Sequence, residues 1–139
     1  VGFSGDGAFG IAVTELTAIG RGEWPAITQV VFRNYQWGAE KRNSTLWYDD
    51  NFVGTELDTQ VSYAGIAKAC GLQGVVAHTM EELSAALQQA IVDQMEHGKT
   101  TLIEALINQE LGEPFRRDAM TKPVEVAGID AADMRPQQV

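Results

Sequence analysis

The stretch Gly5-Asp6-Gly7-Ala8-Phe9 constrains this chain more than any other, because it sets a carboxylate between two glycines directly after a short strand-like run. Val1-Gly2-Phe3-Ser4 reads as the end of a strand. After Gly7, apolar residues at Phe9, Ala12, Val13, Leu16 and Ile19 recur at helical spacings of three and four. Glycine at positions 5 and 7 permits a tight strand-to-helix turn and close backbone approach. A second apolar, β-branched run over residues 26–32 reads as a buried strand and leads into Arg33-Asn34. Asp6 and Asn34 therefore both fall just past a strand. The amides of Gly7, Ala8 and Phe9 at a helix N-terminus favour phosphate, whereas a bare Asp6 carboxylate repels it. A hard divalent cation resolves that conflict. Magnesium takes octahedral oxygen coordination, uses few protein ligands and lets phosphate oxygens fill other positions. Asp6 supplies a charged oxygen, Asn34 an amide oxygen, and a backbone carbonyl from the turn after Asn34 is a candidate third. Gly-Asp-Gly alone is more often a plain turn. The helix stripe, the following strand and the asparagine at its end raise the weight of a metal-bridged diphosphate site.

Further along, residues 34–58 show no clean period, and Trp37, Trp47, Tyr48 and Phe52 stand there among charges. A long irregular stretch of this kind is usually functional or mobile. Residues 61–69 look helical and stop at Gly71, and 74–77 read as a short strand. Thr79-Met80-Glu81-Glu82 is a capping box, with Thr79 capping the helix and Glu82 reaching back. Leu83, Leu87, Ala90, Ile91 and Met95 are its expected buried face, and Gly98 its stop. Residues 102–107 form a further apolar strand, after which the chain turns polar with Arg116, Arg117, Pro123 and Pro136. The expected fold is α/β: a mainly parallel sheet with helices on both faces and an extended C-terminal tail. Residues 1–111 make the domain and 112–139 the tail. Ligands of such sheets bind at the carboxyl ends of strands, the edge where Asp6 and Asn34 fall.

Composition narrows the function. The 139 residues carry 10 basic and 19 acidic side chains, a net charge of −9, which argues against a nucleic-acid partner. The lone Cys70 excludes an internal disulfide framework and suits a reducing compartment. No apolar run reaches the roughly 18 to 20 residues of a membrane span, so the expectation is a cytoplasmic protein with no membrane partner. With no initiating Met at position 1 and a strand at its very start, the chain is expected to lack upstream sequence and to be one piece of a larger enzyme.

Gly5-Asp6-Gly7 followed, after a spacer of just under thirty residues, by Asn34 resembles the cofactor motif of thiamine diphosphate-dependent enzymes. The family usually has two adjacent asparagines, and Arg33-Asn34 stands here in their place. The second asparagine is the family's metal ligand, so the departure spares it. The resemblance implies Mg²⁺ held by Asp6, Asn34 and the main-chain oxygen of Gln36, with thiamine diphosphate against Gly5, Asp6, Gly7, Ala8, Phe9, Asn34, Gln36, Trp37 and Gly38. The domain is similar to the diphosphate-binding part of the acetolactate synthase-like enzymes. Residues 32–43, Leu46-Trp47, residues 49–57 and the tail over 114–120 resemble the acetyl-transferring members of that family. Those members convert sulfoacetaldehyde and phosphate to acetyl phosphate and sulfite. Two alternatives stay open: another reaction on the same cofactor, such as an acetolactate synthase or a 2-oxoacid decarboxylase, and a non-catalytic assembly domain. A generic nucleotide-binding unit is set aside, since neither GxGxxG nor GxxxxGK[ST] occurs.

The family's activating glutamate lies on a pyrimidine-binding domain of the same enzyme or of a partner subunit. No catalytic residue is therefore expected in this chain, and the chain by itself is expected to be inactive. A homo-oligomer is implied. Arg33, Lys41 and Arg42 near the motif, and Arg116 and Arg117 in the tail, are candidates for sulfonate or phosphate. Each of the five taken singly reads as solvated surface charge. For the pair Arg116-Arg117, a tail folded over the cofactor as a lid is as good a reading. Glu15, Glu23 and Glu40 read as surface charges, His78 and His97 as helix-end residues, and Cys70 as a packed thiol.

Overall fold

The computed structural model describes residues 1–111, so the expected tail over 112–139, with Arg116 and Arg117, lies outside the described residues. Within them the order is β1 (Gly2–Gly5), α1 (Asp6–Ile11), a 3-10 turn (Val13–Glu15), α2 (Leu16–Ile19), β2 (Thr28–Arg33), α3 (Gly38–Trp47), α4 (Tyr63–Ala69), β3 (Gln73–Ala77), α5 (Met80–His97) and β4 (Thr101–Leu106). The strands form one sheet in the order β1-β2-β4-β3, and all three pairings are parallel. Helices cover both faces, as the alternation of strand and helix patterns predicts.

The two central strands are buried on both sides, which is why Val30-Val31 and Leu102-Ile103 are unbroken apolar pairs rather than alternating ones. On one face Leu16, Tyr63, Ala64 and Ala67 pack against Val31 and Leu102. On the other, Leu83, Ala86, Leu87 and Ala90 of α5 pack against Val30, Ile103 and Ala105. The start of α5 is fixed locally. Thr79 Oγ1 accepts from the Glu82 amide at 3.2 Å, and Glu82 Oε2 accepts from the His78 amide at 2.7 Å, one residue before the cap. Gly98, at φ 60°, ends the helix in the left-handed conformation that glycine adopts without strain.

Three local expectations are corrected. The stripe after Gly7 is not one helix: the 3-10 turn interrupts it, and Ala12 is exposed while Leu16 reaches the core. The stretch read as irregular contains α3, whose described residues are almost all polar or exposed, so among them no buried face leaves an apolar period to find. Ile91 and Met95 are 45% and 77% exposed, because α5 lies over β2, β3 and β4 and the apolar side chains it packs into the sheet are Leu83, Ala86, Leu87 and Ala90. On that same face Phe3 and Phe32 stack on each other, with ring centroids 6.1 Å apart.

α4 and β3 approach closely at Gly74, where an added Cβ would stand 2.1 Å from the Ala64 carbonyl oxygen. Backbone on both sides cannot yield cheaply. Gly74→Ala is expected to destabilise the domain by about 1–3 kcal/mol, read as a lower midpoint in urea with an unchanged slope.

Candidate functional site

Parallel pairing brings the carboxyl ends of β1 and β2 side by side, with Gly5 opposite Phe32, so Asp6 and Asn34 meet across one strand spacing. Asp6 is 2% exposed. Its Oδ1 accepts from the Gly7 amide at 3.0 Å and its Oδ2 from the Tyr35 amide at 2.7 Å. The Gly7 amide is thus spent on Asp6 rather than left free for phosphate.

Asn34 gives the site its character. The end of its amide that carries oxygen faces Asp6 Oδ1 at 3.2 Å and the Gln36 main-chain oxygen at 3.1 Å. In this orientation the Asn34 oxygen stands beside the Asp6 and Gln36 oxygens and also accepts from the Gln36 amide at 3.3 Å. Neighbouring ligands on an octahedral cation with metal–oxygen distances near 2.1 Å lie about 3.0 Å apart, so this crowding fits a small hard cation. Turning the amide by half a revolution would put its NH₂ there and hydrogen-bond both oxygens instead. Among the described residues no three His, Cys, Asp or Glu side chains cluster as metal ligands, so a cation here would rest on one carboxylate, one amide and one carbonyl.

Beside this cluster lies a cavity of about 420 Å³, lined by Gly5, Asp6, Gly7, Ala8, Asn34, Gln36, Trp37 and Gly38 among others. Phe9 is not among the lining residues; it turns into the core and meets Tyr63 edge to face at 5.3 Å. Gly7 is required by contact, since a Cβ there would stand 2.9 Å from the Trp37 ring. The turn after Asn34 is held by pairing with residues 55–57: the Leu57 amide donates to the Tyr35 carbonyl at 2.8 Å and the Trp37 amide to the Thr55 carbonyl at 2.7 Å. Gln36 Oε1 and Thr55 Oγ1 are buried without a hydrogen-bond partner, so polar capacity in this turn is unused. Tyr35 sits at φ 59°, a left-handed conformation that costs a non-glycine residue about 1–2 kcal/mol.

The three basic residues near the motif do not behave as free surface charges. Arg33 is buried, with Nε 3.0 Å from Glu104 Oε1, although the N–H is not aimed at that oxygen. Lys41 pairs with Glu56, and that hydrogen bond holds the Glu56 carboxyl below its usual range. Arg42 donates to the Leu111 carbonyl. The structure therefore ties Arg33, Lys41 and Arg42 to protein groups. Glu15, Glu23, Glu40, His78 and His97 are exposed, and Cys70 packs half-buried at the core's edge.

Sequence reasoning missed Tyr35, Tyr63 and Glu104. Tyr63 OH donates to the Asp6 carbonyl at 3.1 Å. Burial pushes its phenol above 10.0, an effect the nearby Arg33 charge opposes. Glu104 Oε2 accepts from Ser62 Oγ at 2.9 Å and the Ala64 amide at 3.0 Å, capping α4 from the sheet. A signal existed: a carboxylate inside the apolar run of β4 needs a partner, and Arg33 ends the adjacent apolar run.

A parallel sheet with a Gly-Asp-Gly turn, an asparagine at the next strand end and a cleft between them defines a cofactor domain. Residues 1–105 match the family described as thiamine pyrophosphate enzyme, C-terminal TPP binding domain, and the chain belongs to that family. It is 86% identical over 137 residues to a sulfoacetaldehyde acetyltransferase of Rhodobacter capsulatus, covering 99% of this chain and 23% of that protein. It is 85% identical to the enzyme of that name from Roseovarius nubinhibens, over 100% of this chain and 23% of that one. The chain thus spans about a quarter of the length of these relatives. Among solved structures it is similar to a benzoylformate decarboxylase of Polynucleobacter necessarius (23% identity, TM-score 0.66, 81% of this chain and 20% of that one). It is also similar to a thiamine diphosphate-dependent 4-hydroxybenzoylformate decarboxylase of Rhodococcus jostii (22%, 0.70, 80% and 20%). At those identities the likeness carries the fold.

Glu104→Gln strands the buried Arg33 charge and is expected to cost about 3–5 kcal/mol, measured by urea denaturation. Tyr63 gives a pH signature. Its raised pKa contributes stability that is present in full below pH 10.0 and is lost as pH rises through the raised value. Tyr63→Phe should lower the thermal midpoint at neutral pH and flatten that alkaline decline.

Proposed function

We propose that this domain holds the diphosphate end of thiamine diphosphate through Mg²⁺, bound by Asp6, the Asn34 side chain and the Gln36 main-chain oxygen. The observation that carries this reading is one end of the Asn34 amide set 3.2 Å from Asp6 Oδ1 and 3.1 Å from the Gln36 main-chain oxygen, beside a glycine-lined cleft. One carboxylate and two neutral oxygens are the hard donor set magnesium takes, and they leave coordination positions for phosphate oxygens. Gly5, Gly7 and Gly38 keep side chains out of the cleft, and Trp37 walls it against Gly7.

The whole enzyme is an acetyltransferase that takes sulfoacetaldehyde and phosphate to acetyl phosphate and sulfite. Two relatives of 85% and 86% identity bearing that enzyme's name support the assignment. When bound, the cofactor supplies an electron sink for the substrate carbonyl carbon. This chain's part is to fix the diphosphate, and with it the orientation of the reactive ring. A pyrimidine-binding domain of the same enzyme or of a partner subunit carries the activating glutamate, in a homo-oligomer in the cytoplasm. The division at residues 111 and 112, and the tail's Arg116 and Arg117 as a phosphate-facing lid, belong to the same reading.

In the full-length enzyme, sulfite and acetyl phosphate should form from sulfoacetaldehyde and phosphate only with both Mg²⁺ and thiamine diphosphate present. Asp6→Ala and Asn34→Ala should each weaken Mg²⁺-dependent cofactor binding by about 10–100-fold. Turnover of pyruvate instead of sulfoacetaldehyde would reassign the reaction while leaving the cofactor site intact.

A further inference from the structure

We propose that Arg33 is a positioning residue for the metal centre, acting through two tyrosines on Asp6 and on the Gln36 carbonyl. The inference rests on the metal-bridged reading given above. Arg33 is 2% exposed and lies between two rings, its guanidinium carbon 4.4 Å from the Tyr35 centroid and 4.8 Å from that of Tyr63. Its Nη2 donates to the carbonyls of Asp58, at 2.9 Å, and Val61. Glu104, across in β4, neutralises its charge. Both tyrosines in turn grip Asp6, Tyr35 through its amide to Oδ2 and Tyr63 through its hydroxyl to the carbonyl. One guanidinium therefore braces both the residue whose amide holds one Asp6 carboxylate oxygen and the residue whose hydroxyl holds the Asp6 main-chain carbonyl.

The link to the third oxygen runs through the backbone. Tyr35 is the residue between Asn34 and Gln36, and its left-handed φ of 59° sets the turn that faces the Gln36 carbonyl toward Asn34. A tyrosine does not hold that conformation for its own sake. The Arg33 cation over its ring, together with the Leu57 bond to its carbonyl, keeps it there.

Calorimetric titration of thiamine diphosphate into the full-length enzyme, at a series of Mg²⁺ concentrations, reads this apart from turnover. Arg33→Met alone would leave Glu104 charged and buried, so the test variant combines Arg33→Met with Glu104→Gln. It should need at least about tenfold more Mg²⁺ for half-maximal binding. Adding Tyr35→Gly, which reaches the left-handed conformation freely, should bring the Mg²⁺ requirement back to within about threefold of the original without restoring the thermal midpoint. Tyr35→Leu, which leaves the ion pair in place, should reproduce the loss and serves if the double variant does not fold. An unchanged Mg²⁺ requirement in the double variant or in Tyr35→Leu overturns the proposal, as does failure of Tyr35→Gly to restore it. Absence of Mg²⁺-dependent binding in the unsubstituted enzyme overturns the metal reading and this inference together, a result distinguishable because it involves no substitution.

Discussion

A carboxylate buried to 2% at the junction of β1 and α1 is the constraint around which this domain is built. Burying Asp6 is costly unless its oxygens are satisfied, and among the described residues no basic side chain forms an ion pair with it. Two amides, from Gly7 and Tyr35, carry the load. The glycines around it, the left-handed turn at Tyr35 and the hydroxyl of Tyr63 all follow from placing that charge at a strand end beside a helix start. A cation drawn by three converging oxygens would complete the arrangement rather than disturb it.

The sheet converts this local chemistry into a site. Because β1 and β2 are parallel neighbours, their carboxyl ends coincide, and residues 27 positions apart face one another across a single strand spacing. β4, on the other side of β2, brings Glu104 under Arg33. A buried Arg–Glu pair is weak evidence for stability, since desolvation offsets much of its attraction. Its meaning here lies in where it points: toward Tyr35 and Tyr63, and through them toward Asp6.

Much of the fold was legible because its signals are short-range. The Thr79 cap with Glu82, the stop at Gly98 and the apolar runs of β2 and β4 are each written within a few residues. α3 was not legible, because a helix that buries no face imprints no period on its residues. Ile91 and Met95 fit the stripe of α5 by spacing yet are exposed, since spacing gives a helix's apolar side but not how much sheet lies beneath it. Arg33 was read as surface charge because its buried partner, Glu104, lies 71 positions further along the chain.

The sequence by itself offered Asp6 and Asn34 as ligand candidates for a metal-bridged diphosphate, and its resemblance to thiamine diphosphate enzymes supplied the class of cofactor. A Gly-Asp-Gly turn and a strand ending in asparagine are local instructions whose backbone freedom and oxygen donors suit a hard cation. Only the tertiary structure decided how those ligands are held. The orientation of the Asn34 amide, the turn at Tyr35 and the bracing by Arg33 and Tyr63 depend on contacts between residues about 25 to 75 positions apart. Such contacts exist only once the parallel strands have set their register, because side-chain partners across a sheet are chosen by pairing and not by proximity in the chain.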